Sequence, residues 1–125
     1  MTPTDLKYTK SHEWIKDLGN GVVRIGLTDH AQSEMGDIVY VDLPEAGDTV
    51  TAGETCCEVE SVKAVSGVYS AVTGDIKAVN DELADAPESI NSDPYGTWLL
   101  EIENVDSIPE LMDAAAYDAF VREEK

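Results

Sequence analysis

The chain has 125 residues, with 26 Asp and Glu against 8 Lys and Arg, for a formal charge of −18. That balance argues against a nucleic-acid backbone or an anionic membrane surface as partner, because both would be repelled. With 42% hydrophobic and 27% charged residues the composition is that of an ordinary globular chain, and the length fits one domain over residues 1–125, since two cores of half this size would each be marginal.

His12 to Lys16 and Val22 to Leu27 read as short strands, joined at Gly19-Asn20-Gly21, residues that accept positive φ. Thr28 is placed to cap a helix from Asp29 to Met35, and Gly36 to stop it. Asp37 to Leu43 then reads as an alternating strand ending at Pro44. From Thr55 to Tyr69 the valines fall at 59, 62, 65 and 68. A spacing of three throws successive residues of a straight strand onto opposite faces, so the segment is expected to reverse near Val62-Lys63-Ala64, although none of these is a usual turn former.

Gly36-Asp37-Ile38 recurs as Gly74-Asp75-Ile76, with Val41 matching Val79 and Ala46 matching Ala84 at the same offset. Duplication and convergent use of a glycine before a strand both account for this. Turn-rich sequence follows through Pro87, Asn91, Pro94 and Gly96, then a strand from Trp98 to about Ile102. Ser107-Ile108-Pro109-Glu110 can open a terminal helix that continues from Ala114 to Glu123, with Tyr117, Phe120 and Val121 on one side. The β core is expected over about 8–103 and the helical segment over about 107–124.

Between Ile25 and Ile76 the only Lys or Arg is Lys63. At a reversal its long amine projects into solvent, where it is either an ordinary exposed lysine or a site that an enzyme can acylate. Cys56 and Cys57 are adjacent, which excludes an ordinary intrachain disulfide framework and reads as strand packing in a reducing compartment. With no CxxC, and with His12 and His30 distant in sequence, zinc has little support. No apolar signal core or span of membrane length is evident, so the chain reads as cytoplasmic, or as mitochondrial matrix if it is a processed organelle form. No nucleophile elbow, triad-like cluster or paired-carboxylate motif stands out, so an independent enzyme is not expected.

Val59-Glu60-Ser61-Val62-Lys63-Ala64 resembles the lipoylation segment of the glycine cleavage system H proteins. Ser11-His12-Glu13-Trp14, Gly26-Leu27-Thr28-Asp29-His30-Ala31-Gln32, Gly36-Asp37-Ile38-Val39, Leu43-Pro44 and Asn91-Ser92-Asp93-Pro94-Tyr95 are similar to that family's other motifs, in the same order. The resemblance implies a mainly β, hybrid barrel-sandwich fold of the lipoyl/biotinyl type, with a short helix after the first hairpin and a C-terminal helix. It further implies lipoate joined to Lys63 as an amide, and a cleft lined or adjoined by Ser11, Glu13 and His30 that shelters the amine end of the loaded arm.

The implied partners are a pyridoxal-phosphate glycine decarboxylase, a tetrahydrofolate-dependent aminomethyltransferase, dihydrolipoyl dehydrogenase, and a lipoate ligase or lipoyl/octanoyl transferase. The chain is expected to be a monomeric, non-catalytic carrier; a lipoate-relay protein with no glycine cleavage role is the alternative. Val62 and Ala64 do not match the methionines that flank the lysine of biotin carriers. Gly67 stands where many family members have an acidic residue, which implies a looser cleft with one polar contact fewer.

Overall fold

The computed structural model describes residues 3–105, 108 and 110–123. Strands β1 (Lys7–Tyr8), β2 (Glu13–Gly19), β3 (Val22–Leu27), β4 (Ile38–Asp42), β5 (Thr49–Val50), β6 (Thr55–Ser61), β7 (Val65–Tyr69), β8 (Gly74–Val79) and β9 (Trp98–Glu103) form two antiparallel sheets. One has the order β1-β2-β3-β9-β8-β5 and the other β4-β6-β7. Helix α1 (Asp29–Met35) follows the first hairpin, α2 (Ser89–Ser92) is a single turn, and α3 (Ala114–Glu123) lies at the C-terminal end. The mainly β fold with a short helix after the first hairpin and a C-terminal helix is as expected, and neither sheet closes on itself.

The local signals act where they were read. Gly19, Asn20 and Gly21 all have positive φ at the β2–β3 turn. Thr28 accepts a hydrogen bond from the Ala31 N–H, and Gly36, at φ 80°, closes α1 by donating to the Gln32 carbonyl. The reversal between β6 and β7 is explained by Ser61. Its N–H donates to the Ala64 carbonyl at 2.8 Å, while its hydroxyl accepts from the Lys63 and Ala64 N–H groups at 3.2 and 3.1 Å. A serine side chain thus replaces the glycine or proline a turn usually needs. Val59 and Val68 are consequently buried while Val62 and Val65 are exposed.

The strand expected to alternate from Asp37 to Leu43 does not. Ile38 and Val41 are both buried, because a bulge between Ile38 and Tyr40 shifts the register against β6 and turns both toward the core. The matching position of the sequence repeat has the same device, a register shift between Ile76 and Ala78 against β9. A shared bulge at the same offset is more than convergent use of a glycine and favours equivalence of the two segments. The two glycines, however, serve different needs. Gly36 supplies positive φ, whereas a Cβ at Gly74 would lie 2.6 Å from the Glu103 carbonyl oxygen.

One further expectation changes. The segment after Val79 contains a 3-10 turn (Asp81–Ala84) and α2, whose Leu83 and Ile90 are buried in the core, so it is more than a polar connection. Of the segment expected to open the terminal helix, Ser107 and Pro109 lie outside the described residues; α3 spans Ala114–Glu123, with Asp113 Oδ1 accepting from the Ala116 N–H. Tyr117 is buried, and Phe120 and Val121 pack beside it.

The main core lies between the sheets and includes Ile15, Ile25, Val41, Val59, Val68, Ile76 and Leu100. A second cluster of Leu6, Tyr8, Trp14, Ala114 and Tyr117 seats α3 on the other face of β2. Covering both faces of β2 explains why Glu13, Trp14 and Ile15 are all buried in succession. Glu13 is thereby carried inside with Ile15, on the face opposite Trp14.

Candidate functional site

Lys63 stands exposed at the tip of the β6–β7 hairpin. The tip is anchored from below, since the Val62 N–H donates to the Asp37 carbonyl at 3.0 Å. The lysine stem passes over Gly36: a Cβ added there would come within 3.2 Å of Lys63 Cε. Gly36 and Asp37 are themselves fixed by Asn91, whose Oδ1 accepts from the Ile38 N–H at 2.8 Å and whose Nδ2 donates to the Gly36 carbonyl and to Gln32 Oε1, both at 2.9 Å. One side chain thus ties the end of α1, the start of β4 and the support of the hairpin together.

Beside this hairpin lies a cleft of about 240 Å³. The return strand contributes Ser66, Gly67 and Val68, and α1 contributes His30 and Met35, the residue before Gly36. The start of β2 and the loop before it contribute Ser11, His12 and Glu13. Ser11, Glu13 and His30 therefore share one cleft, and the hairpin that carries Lys63 forms part of its wall. A larger cavity of about 540 Å³ on the other flank of α1 shares His30, but no residue of the hairpin lines it.

Glu13 is 1% exposed. Its Oε1 accepts from the hydroxyls of Thr9 and Ser11, each at 2.6 Å, and its Oε2 accepts from the Tyr69 N–H at 3.3 Å. Burial pushes its pKa above the ordinary carboxylate value, and these three hydrogen bonds pull in the opposite direction. The site is thus a carboxyl group held in place and partly prepared for charge, with no ion pair to a cation among the described residues. A cationic group entering the cleft completes that arrangement.

His30 is half-buried, with Nε2 3.6 Å from Glu34 Oε1 and its ring centroid 4.5 Å from that of His12. His12, at φ 71°, has Nδ1 2.7 Å from the Tyr117 hydroxyl, which also lies 2.7 Å from Thr28 Oγ1. Helix α3 thereby fixes both the loop before β2 and the cap of α1.

Gly67, which lines the cleft, pairs with the exposed Glu58, and a Cβ there would meet Thr55 Cγ2 at 3.3 Å and the Tyr69 ring at 3.9 Å. Cys57 is buried and Cys56 half-buried, its thiol donating to the Val68 carbonyl at 3.3 Å. Hydrogen bonding to Cys56 and burial both hold the Cys57 thiol well above its ordinary pKa, which suits packing.

Sequence reasoning missed Thr9 and Asn91 as parts of this site. Asn91 stood inside a recognised motif with no role attached to it. Thr9 had no signal beyond its position four residues before Glu13.

Fold and site together define the class: a small two-sheet β protein that presents an exposed lysine on a hairpin, beside a cleft floored by a buried carboxyl. A family model described as glycine cleavage H-protein matches residues 6–124. A glycine cleavage system H protein from Azoarcus sp. is 51% identical over 117 residues, covering 92% of each chain. A probable glycine cleavage system H protein from Pyrococcus abyssi is 54% identical over 120 residues, covering 94% of this chain and 90% of the relative. The crystal structure of a glycine cleavage system H protein from Mycobacterium marinum superposes with a TM-score of 0.87 at 40% identity, covering 98% of both chains. The chain belongs to the glycine cleavage H-protein family. Among the described residues no helix is long and apolar enough to cross a membrane.

Proposed function

We propose that this chain is the lipoyl-bearing carrier of a glycine cleavage system, with Lys63 as its attachment site. The observation that carries the reading is the placement of Lys63: exposed at a hairpin tip, with its stem over Gly36, next to a cleft that holds a buried carboxyl. Lipoate in amide linkage supplies a redox-active dithiolane on a long arm whose reduced form bears an aminomethyl unit. Ser11, Glu13 and His30 receive the amine end in the cleft and limit its access to water, with Glu13 pairing an ammonium by a charge-assisted hydrogen bond. The chain contributes shelter and presentation and no reacting group.

Catalysis belongs to glycine decarboxylase, aminomethyltransferase and dihydrolipoyl dehydrogenase, after a lipoate ligase or lipoyl/octanoyl transferase has modified Lys63. A surface of strong net negative charge suits basic surfaces on these partners.

Co-expression with a lipoate ligase followed by intact-protein mass spectrometry and fragmentation is expected to place one lipoyl group on Lys63 and none on the Lys63→Arg variant. An unmodified chain despite a competent ligase, or biotin at this position, overturns the proposal. Glycine–carbon dioxide exchange with the reconstituted partners then separates the glycine system from lipoate relay.

A further inference from the structure

The two oxygens of the Glu13 carboxyl are not equivalent. Oε1 receives two short O–H bonds, from Thr9 and from Ser11, while Oε2 receives a single long N–H bond from Tyr69. A carboxylate oxygen has two lone-pair sites, so Oε1 is saturated and Oε2 is not. Thr9 is held in turn: its hydroxyl, which donates to Oε1, accepts from the Glu13 N–H at 3.0 Å, and its own N–H donates to the Glu13 carbonyl at 3.0 Å. Thr9 and Glu13 are thereby locked to one another by three hydrogen bonds, one of which fixes the side-chain carboxyl.

We propose that Thr9 is a positioning residue which, together with Ser11, saturates Oε1 and so assigns Oε2 as the atom that meets the arm's amine. The proposal rests on the carrier reading above for the identity of the amine, but not for the geometry. Oε2, with one long bond, keeps a lone-pair site for the arm's ammonium, and the pair that forms leaves no isolated buried charge in the cleft.

The test uses the full chain unmodified at Lys63, labelled with 13C at glutamate carboxyls, with the Glu13 signal assigned by its loss in Glu13→Gln. Thr9→Val keeps the branched shape and removes the hydroxyl; its Glu13 titration midpoint is expected to rise above that of the parent, and Thr9→Ser to restore it. Ser11→Ala, at an exposed position, is expected to shift the midpoint in the same direction and serves if Thr9→Val does not fold. In lipoylated protein loaded with methylamine, Thr9→Val is expected to lose the amine about tenfold faster, the scale of one hydrogen bond to a charged group.

An unchanged midpoint in folded Thr9→Val overturns the hydrogen-bond assignment. A shifted midpoint with unchanged release overturns Oε2 as the receiving atom. Failure of lipoylation at Lys63 leaves the titration result standing and counts against the carrier reading alone.

Discussion

Replacing Asn91 with alanine removes the one side chain that joins the end of α1, the start of β4 and the base of the hairpin. Three hydrogen bonds are lost. The N–H of Ile38, a residue 3% exposed, is left without its acceptor, at a cost of about 1–3 kcal/mol. The bonds to the Gly36 carbonyl and Gln32 Oε1 join half-buried groups, worth about 0.5–1.5 kcal/mol each. The expected loss is about 2–6 kcal/mol, a large share of the roughly 5–15 kcal/mol of a domain of ordinary stability. With a urea m value of about 2 kcal/mol/M, the unfolding midpoint falls by about 1–3 M. Asn91→Asp keeps an acceptor for Ile38 but brings an oxygen against the two oxygens that Asn91 Nδ2 serves, so it is not expected to rescue. A loss below about 0.5 kcal/mol in Asn91→Ala, the range of an unremarkable surface change, refutes the reasoning.

Gly26→Ala places a Cβ 2.3 Å from the ring of Trp14, which is 2% exposed and whose Nε1 donates to the Pro94 carbonyl at 3.0 Å. Because the ring has nowhere to move, urea unfolding is expected to show a loss of about 3 kcal/mol, the upper part of the range for overpacking. Glu13→Gln tests the buried carboxyl through pH. With its folded pKa raised above the unfolded value, the folded chain binds more protons between the two, so the Glu13 contribution to stability is lost as pH rises from the unfolded pKa through the folded one. Urea midpoints measured from pH 4 to 8 are expected to move in favour of Glu13→Gln as pH rises across that window; parallel curves for parent and variant reject the burial-driven shift.

How much of this was legible in the sequence follows from the range over which each interaction acts. Thr28 and Gly36 bound α1 through hydrogen bonds three and four residues away, and Gly19-Asn20-Gly21 turn within their own dihedral angles. The valine spacing exposed the reversal at Lys63, since side-chain direction in a strand follows position alone. The collinear motifs added the family, and with it the expectation of a cleft.

Tertiary structure decided the rest. The two-residue strands β1 and β5 have too few residues to show a period and exist through pairing with β2 and β8. The bulges that turn Ile38 and Val41 to one side are set by register against β6. Glu13 is buried because a second sheet covers one face of β2 and α3 the other, and its Oε2 is met by the N–H of Tyr69, 56 residues on. Asn91 reaches Ile38 across 53 residues. The sequence by itself determined the helix caps, the turns and the lysine at the reversal, because those depend on neighbours along the chain. Which carboxyl is buried and which of its oxygens remains open depends on neighbours in space, and only the folded chain supplies them.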